Sequence, residues 1–174
     1  MAKLMLKNVR LSFPALFRKA VFNGQETKYE ATFLIPKDSA LAETVREACD
    51  AFIAEKFQGK PPKGLKLTCI ADGDTKEYDG YEGMLAVKAA SQHRPLVIDN
   101  DKTPLTEDDN RIYAGCMVNA QIDFWFSDHA LGGKQILATL YGVQFHKHNS
   151  PFGGSSVSVD EFDDVSDEDD SDSF

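Results

Sequence analysis

Residues 4–13, LMLKNVRLSF, alternate apolar and polar side chains but change phase at Asn8. Leu4 and Leu6 fall on one side of an extended chain, and Val9, Leu11 and Phe13 fall on the other. This change of face predicts a bulge, one extra residue that bends a strand and increases its twist. A small closed barrel needs such a first strand, because that strand serves two sides of the wall.

Outward from this strand, PALFRKAVFNGQE is a connection with Asn23-Gly24 as its tight turn. Residues 27–36, TKYEATFLIP, alternate cleanly, with Tyr29, Ala31, Phe33 and Ile35 inward and Lys28, Glu30 and Thr32 outward. Residues 39–58 predict one helix, with Leu41, Val45, Ala48 and Phe52 as its apolar stripe. Asp38 or Ser39 can cap its start, and Gly59 followed by Pro61-Pro62 stops it. Shorter strands follow near 65–70, 84–90 and 94–98, then a long hairpin of 116–126 and 134–146 around Gly132-Gly133. With no internal repeat and no alternating strand–helix pattern, the expected class is mainly β. It is a five-stranded barrel of the oligonucleotide-binding kind (OB-fold), with one inserted α-helix and extra β-hairpins; a β-sandwich is the competing architecture.

The chain has 174 residues, 42% apolar and 27% charged, which suits one soluble domain. We expect a domain over 1–148 and a disordered acidic tail over 149–174 that ends in Phe. Residues 157–174 hold nine acidic and no basic side chains, and so carry the whole net charge of −9. The remainder is balanced but uneven: residues 1–70 hold 12 basic against 7 acidic side chains, and 71–156 the reverse. A basic first half with a polyanionic tail fits a cationic groove shielded by its own tail. No apolar run is long enough for a membrane span, and the N-terminus lacks a secretory signal pattern. Three widely spaced cysteines outside any CxxC pair suggest reduced thiols and a cytoplasmic protein.

Catalytic signatures are missing: no phosphate loop, no dinucleotide fingerprint, no GxSxG elbow. Asp72, Asp74, Asp99 and Asp101 would suit Mg²⁺ in a nuclease, but they lie in Gly-, Asn- and Pro-marked turns. His146 and His148 lack a local partner ligand. No catalytic residue, metal or cofactor is therefore expected. Cations beside flat rings are more informative, because single strands are held by phosphate contacts and base stacking. The candidate DNA-binding residues are Arg10, Arg18, Lys19, Phe22, Lys28, Tyr81, Lys88, Arg94, Tyr113 and Trp125. Phe13 and Phe17, in the apolar stretch FPALF, are candidates for the core instead.

The runs VRLSFPALF, KYEATFLIPKD, KLTCIADGD, RPLVID, YAGCMVNAQIDFW and GVQF, in that order before an acidic terminus, resemble a family of phage single-stranded DNA-binding proteins once catalogued as a domain of unknown function. The likeness spans Val9 to about Phe145. The acidic end with a final Phe is similar to that of the replication single-strand binding proteins of short-tailed coliphages. The resemblance implies an OB-fold protein that coats single strands in phage replication and recombination within the bacterial host cytoplasm. It also implies that Asp167, Glu168, Asp169, Asp170, Asp172 and Phe174 contact replication or recombination enzymes. From the residues alone, weak duplex binding stays open because a basic groove can accept it, as does the choice between monomer and homodimer; no membrane partner is expected. A metal-dependent nuclease and an acidic adaptor or DNA mimic are the alternatives.

Overall fold

The computed structural model describes residues 3–152. Strand β1 (Leu4–Ala15) begins the wall, and a hairpin of β2 (Val21–Phe22) and β3 (Gln25–Glu26) stands off it. Next come β4 (Tyr29–Pro36), helix α1 (Ala40–Phe57), and the short strands β5 (Lys66–Leu67) and β6 (Ile70–Asp72). The chain continues through β7 (Met84–Ser91) and β8 (Leu96–Ile98) to the long hairpin β9 (Met117–His129) and β10 (Gly133–Lys147).

Five strands close a barrel. The order β10-β9-β1-β4-β7 is antiparallel throughout, and a parallel pairing of Thr139 with Ala90 joins β10 back to β7. The seam between these two strands is narrow, and residues 66–72 fill its splayed part. There β5 pairs with β10, β6 pairs with β7, and Lys88 N–H donates to the Cys69 carbonyl at 2.8 Å. The expected strand over 65–70 is thus two fragments, because it serves two neighbours that diverge.

The bulge expected at Asn8 is present. Its φ is 54°, and the register against β9 slips between Leu6 and Val9. A second bulge follows, which periodicity did not reveal. Phe13 takes φ 46°, and the register against β4 slips between Ser12 and Ala15. Phe13 is consequently turned outward, away from the side of Val9 and Leu11, and is exposed rather than core. Phe17 is half-buried against the core, as expected.

The barrel interior holds Leu6, Val9, Leu11, Phe33, Ile35, Val87, Val118, Ile122, Leu140 and Phe145, all nearly inaccessible. Helix α1 packs into the same core through Ala42, Val45, Cys49 and Phe52, with the Phe52 ring 6.3 Å from Phe124. Leu41 and Ala48, expected in the stripe, are only partly buried, so the buried face is rotated toward Ala42 and Cys49. Ser39 caps the helix, its Oγ accepting from Ala42 N–H, and Gln58 and Gly59 end it in left-handed conformations. No helix of the described residues is long and apolar enough to cross a membrane.

Candidate nucleic-acid interface

A groove runs across the outside of β4 and β7, in two lobes of about 820 and 690 Å³. Phe22, Glu30, Thr68, Cys69 and Lys88 line both lobes and form its waist. The β2–β3 hairpin holds Phe22 out over this waist. Its turn has positive φ at Asn23 (53°) and Gly24 (77°), the geometry for which Asn-Gly is suited. The first lobe adds Lys28, His93 and Trp125, and the second adds Phe13, Lys76, Tyr78 and Tyr81. Three lysines stand against one glutamate along the whole groove, so its charge is net positive.

The rings are available. Phe22 is 71% exposed, Phe13 55%, Tyr78 53% and Trp125 38%. Trp125 projects outward because Phe124 before it is buried, the alternation a half-buried strand imposes. Phe13 and Tyr78 meet edge to face, with centroids 4.8 Å apart, and Tyr78 meets Tyr81 at 5.1 Å. Tyr81 differs from the expectation of an exposed ring: it is 3% exposed. It packs with Leu34 and Ala86 in a small cluster outside the barrel, and its hydroxyl hydrogen-bonds Ser12 Oγ at 2.8 Å. Burial pushes its phenol pKa up, and a base cannot lie flat on it.

The structure brings Phe22, Lys28, Lys88, Trp125 and the edge of Tyr81 together in this groove. It employs other expected residues elsewhere. Arg10 donates to the carbonyls of Gly115 and Ser150, and its guanidinium lies 3.9 Å from the centre of the Phe152 ring. Tyr113 stacks on His148 at 5.7 Å, and its hydroxyl bonds His148 Nδ1 and the Asn149 backbone. These contacts fasten residues 148–152 to the body, so packing continues to Phe152, four residues past the boundary expected at 148. Arg18 pairs with Glu107 at 2.9 Å, Arg94 lies 5.7 Å from the Phe17 ring, and Lys19 lines neither lobe. Phe13, Tyr78 and Lys76 belong to the groove but were not among the sequence candidates. For Phe13 the signal was hidden by the second bulge, and Tyr78 sits in a turn-rich stretch without periodicity. The tail residues Asp167, Glu168, Asp169, Asp170, Asp172 and Phe174 lie outside the described residues.

Three of the four carboxylates considered as metal ligands are paired with cations of the chain itself. Lys37 bridges Asp72 and Asp74, and Arg111 pairs with Asp99 at 3.1 Å. Asp101 accepts from Thr103 N–H at 3.0 Å, which holds its own turn. The ammonium of Lys37 holds both Asp72 and Asp74 below the usual carboxylate range. All three cysteines are free and buried, and burial pushes the Cys116 thiol up.

With this geometry in view, likeness to known proteins is informative. The family model described as Enterobacter phage Enc34, ssDNA-binding protein, matches residues 2–173. Protein p50 of Acyrthosiphon pisum secondary endosymbiont phage 1 is 43% identical over 175 residues, covering 94% of each chain. The single-stranded DNA-binding protein of bacteriophage Enc34, solved in complex with ssDNA, superimposes with a TM-score of 0.74 at 30% identity, over 87% of this chain and 89% of that one. Bacteriophage T7 gp2.5, a single-stranded DNA-binding protein, shares the fold alone: TM-score 0.56 at 12% identity, over 91% of this chain and 98% of that one. A match over nearly the full length places the chain in the Enterobacter phage Enc34 ssDNA-binding protein family.

Proposed function

We propose that this protein binds single-stranded DNA in the two-lobed groove, coating the strand without cutting it. The observation that carries the reading is the set of four exposed rings, Phe13, Phe22, Tyr78 and Trp125, on one groove lined by three lysines. Bases stack on the rings, each stack worth about 1–3 kcal/mol and insensitive to sequence, while the ammonium groups of Lys28 and Lys76, which make no ion pair among the described residues, neutralise phosphates. The Enc34 protein solved with ssDNA supports the same ligand class. The setting is phage replication or recombination in the bacterial host cytoplasm. Residues 157–174, with nine acidic side chains, compete with DNA for the lysines and, once displaced, engage replication enzymes through Phe174. Pairing of Asp72 and Asp74 with Lys37 weighs against the nuclease alternative.

Trp125 is the only tryptophan of the chain, so its fluorescence reports on the groove directly. Titrating an unlabelled single strand into the full chain should quench it saturably, with log K falling against log salt by about 0.7 per phosphate neutralised. A strand recovered whole after incubation with Mg²⁺ excludes cutting. No quenching and no mobility shift would reject the proposal. Deleting residues 157–174 should tighten binding most at low salt, where screening is weakest; unchanged affinity would reject shielding by the tail. Phe174→Ala should keep DNA affinity and weaken capture of a replication enzyme; retained capture would sink that role.

A further inference from the structure

The waist of the groove is unlike its ends. Glu30 is the single acidic residue of the lining, and it borders both lobes. Its Oε2 lies 3.0 Å from Lys88 Nζ, and its side chain is largely sheltered. Lys28 borders one lobe and Lys76 the other, and neither makes an ion pair among the described residues. Free ammonium groups therefore flank a waist whose own charges cancel.

A phosphate at the waist would meet repulsion from Glu30 and find Lys88 already engaged. A base edge meets the opposite. An ionised carboxylate is acceptor-only with about four lone-pair sites, and a single ammonium leaves some of them open. The exocyclic amine of cytosine donates to a carboxylate, whereas uracil and thymine present a carbonyl at the same ring position. Phe22 stands over this place and offers the base a face to stack on.

We propose that Glu30 reads the base at the waist, selecting one with an exocyclic amino group, cytosine over uracil or thymine, while Lys28 and Lys76 take the flanking phosphates. Adenine, which carries an amine at its own edge, falls in the accepted class. Lys88 acts by holding the carboxylate in place. The inference rests on the groove being the single-strand site.

The test compares oligo(dC) with oligo(dU) of equal length at mildly alkaline pH, where cytosine is unprotonated. The two differ at the amine-bearing edge and lack the thymine methyl. Affinities are measured by anisotropy of end-labelled strands on the full-length protein, on Glu30→Gln and on Trp125→Ala. An amide accepts from cytosine but also donates to uracil, so the dC-to-dU affinity ratio should fall about tenfold in Glu30→Gln. The exchange is isosteric at a partly exposed site, and a thermal melt checks the fold. A ratio left unchanged, with both affinities rising together, would make Glu30 a brake on phosphates and overturn the inference. If Trp125→Ala weakens both strands while the ratio survives Glu30→Gln, base reading alone fails. If Trp125→Ala leaves both strands bound as before, the groove itself is not the site.

Discussion

Two faces of this barrel are built from the same kinds of side chain and come out differently. The groove over β4 and β7 has Phe13, Phe22, Tyr78 and Trp125 beside Lys28, Lys76 and Lys88. The strap at residues 148–152 has Arg10, Tyr113, His148 and Phe152. On the strap each ring already has a partner: the Arg10 guanidinium covers Phe152, and Tyr113 lies on His148. In the groove Phe13 and Tyr78 meet edge to face, while Phe22 and Trp125 have no ring partner among the described residues and stand exposed. A cation next to an aromatic residue is thus not a nucleic-acid site by itself. What matters is whether its stacking and hydrogen-bonding capacity is left unspent within the fold.

The largest effect should separate the two faces outright. Trp125→Ala and Phe22→Ala should each weaken single-strand binding by roughly 5–150-fold, the equivalent of about 1–3 kcal/mol for a lost stack. Arg10→Ala, measured by the same anisotropy titration, should shift affinity less than about twofold, because its guanidinium serves the strap. Comparable losses from Arg10 and Trp125 would erase the distinction.

Stability should show the reverse order. Removing Arg10 loses a cation–π contact and two charge-assisted hydrogen bonds to carbonyls, about 2 kcal/mol together at a partly exposed site. The denaturant midpoint of Arg10→Ala should drop accordingly, while that of Trp125→Ala moves less. An unmoved midpoint in Arg10→Ala would show that the strap adds nothing to the body.

Phe13 sharpens the comparison further, since its backbone conformation is costly for a bulky residue. Phe13→Gly should relieve strain of about 1 kcal/mol and still lose affinity through the missing ring. A variant that becomes both less stable and equally good at binding would mean that the ring is structural.

The smallest effect concerns the Lys37 clasp, which holds the turn behind Tyr78 and Tyr81. Asp72 and Asp74 are depressed chiefly by the Lys37 hydrogen bonds, so their contribution is present above the ordinary Asp pKa of about 4 and fades as pH falls through their folded values. Lys37 is raised by the same two carboxylates, so its contribution is present below the ordinary Lys pKa of about 10 and fades as pH rises through its folded value. The two carboxylates are exposed and Lys37 is partly so, and screening keeps the effect small. Thermal melts across acid pH should be shallower in their pH dependence for Lys37→Met; an identical dependence would show that the clasp is not what titrates.

Much of the barrel was legible because burial imposes period two on a strand that has one wet face. Tyr29 to Ile35, Val118 to Phe124 and the phase change at Asn8 all carry that signature. The second bulge was not legible, since Phe13 keeps the apolar rhythm while its φ of 46° turns the ring outward. Tyr81 misled for a related reason: its neighbours Gly80 and Glu82 suggest a turn, yet Leu34 of β4, far earlier in the chain, closes over the ring together with the nearby Ala86 of β7. Arg10 and Tyr113 looked available because the segment that occupies them, 148–152, lies over a hundred positions after Arg10 and 35 or more after Tyr113.

The chain by itself determined the alternating strands, the capped helix, the Asn-Gly hairpin and the acidic end, because these depend on neighbours within a few residues. Only the folded barrel decided which rings face water and which cations remain free. Those outcomes depend on side chains that meet across β1, β4, β7 and the strap, and no local rhythm encodes which distant group will reach a ring first.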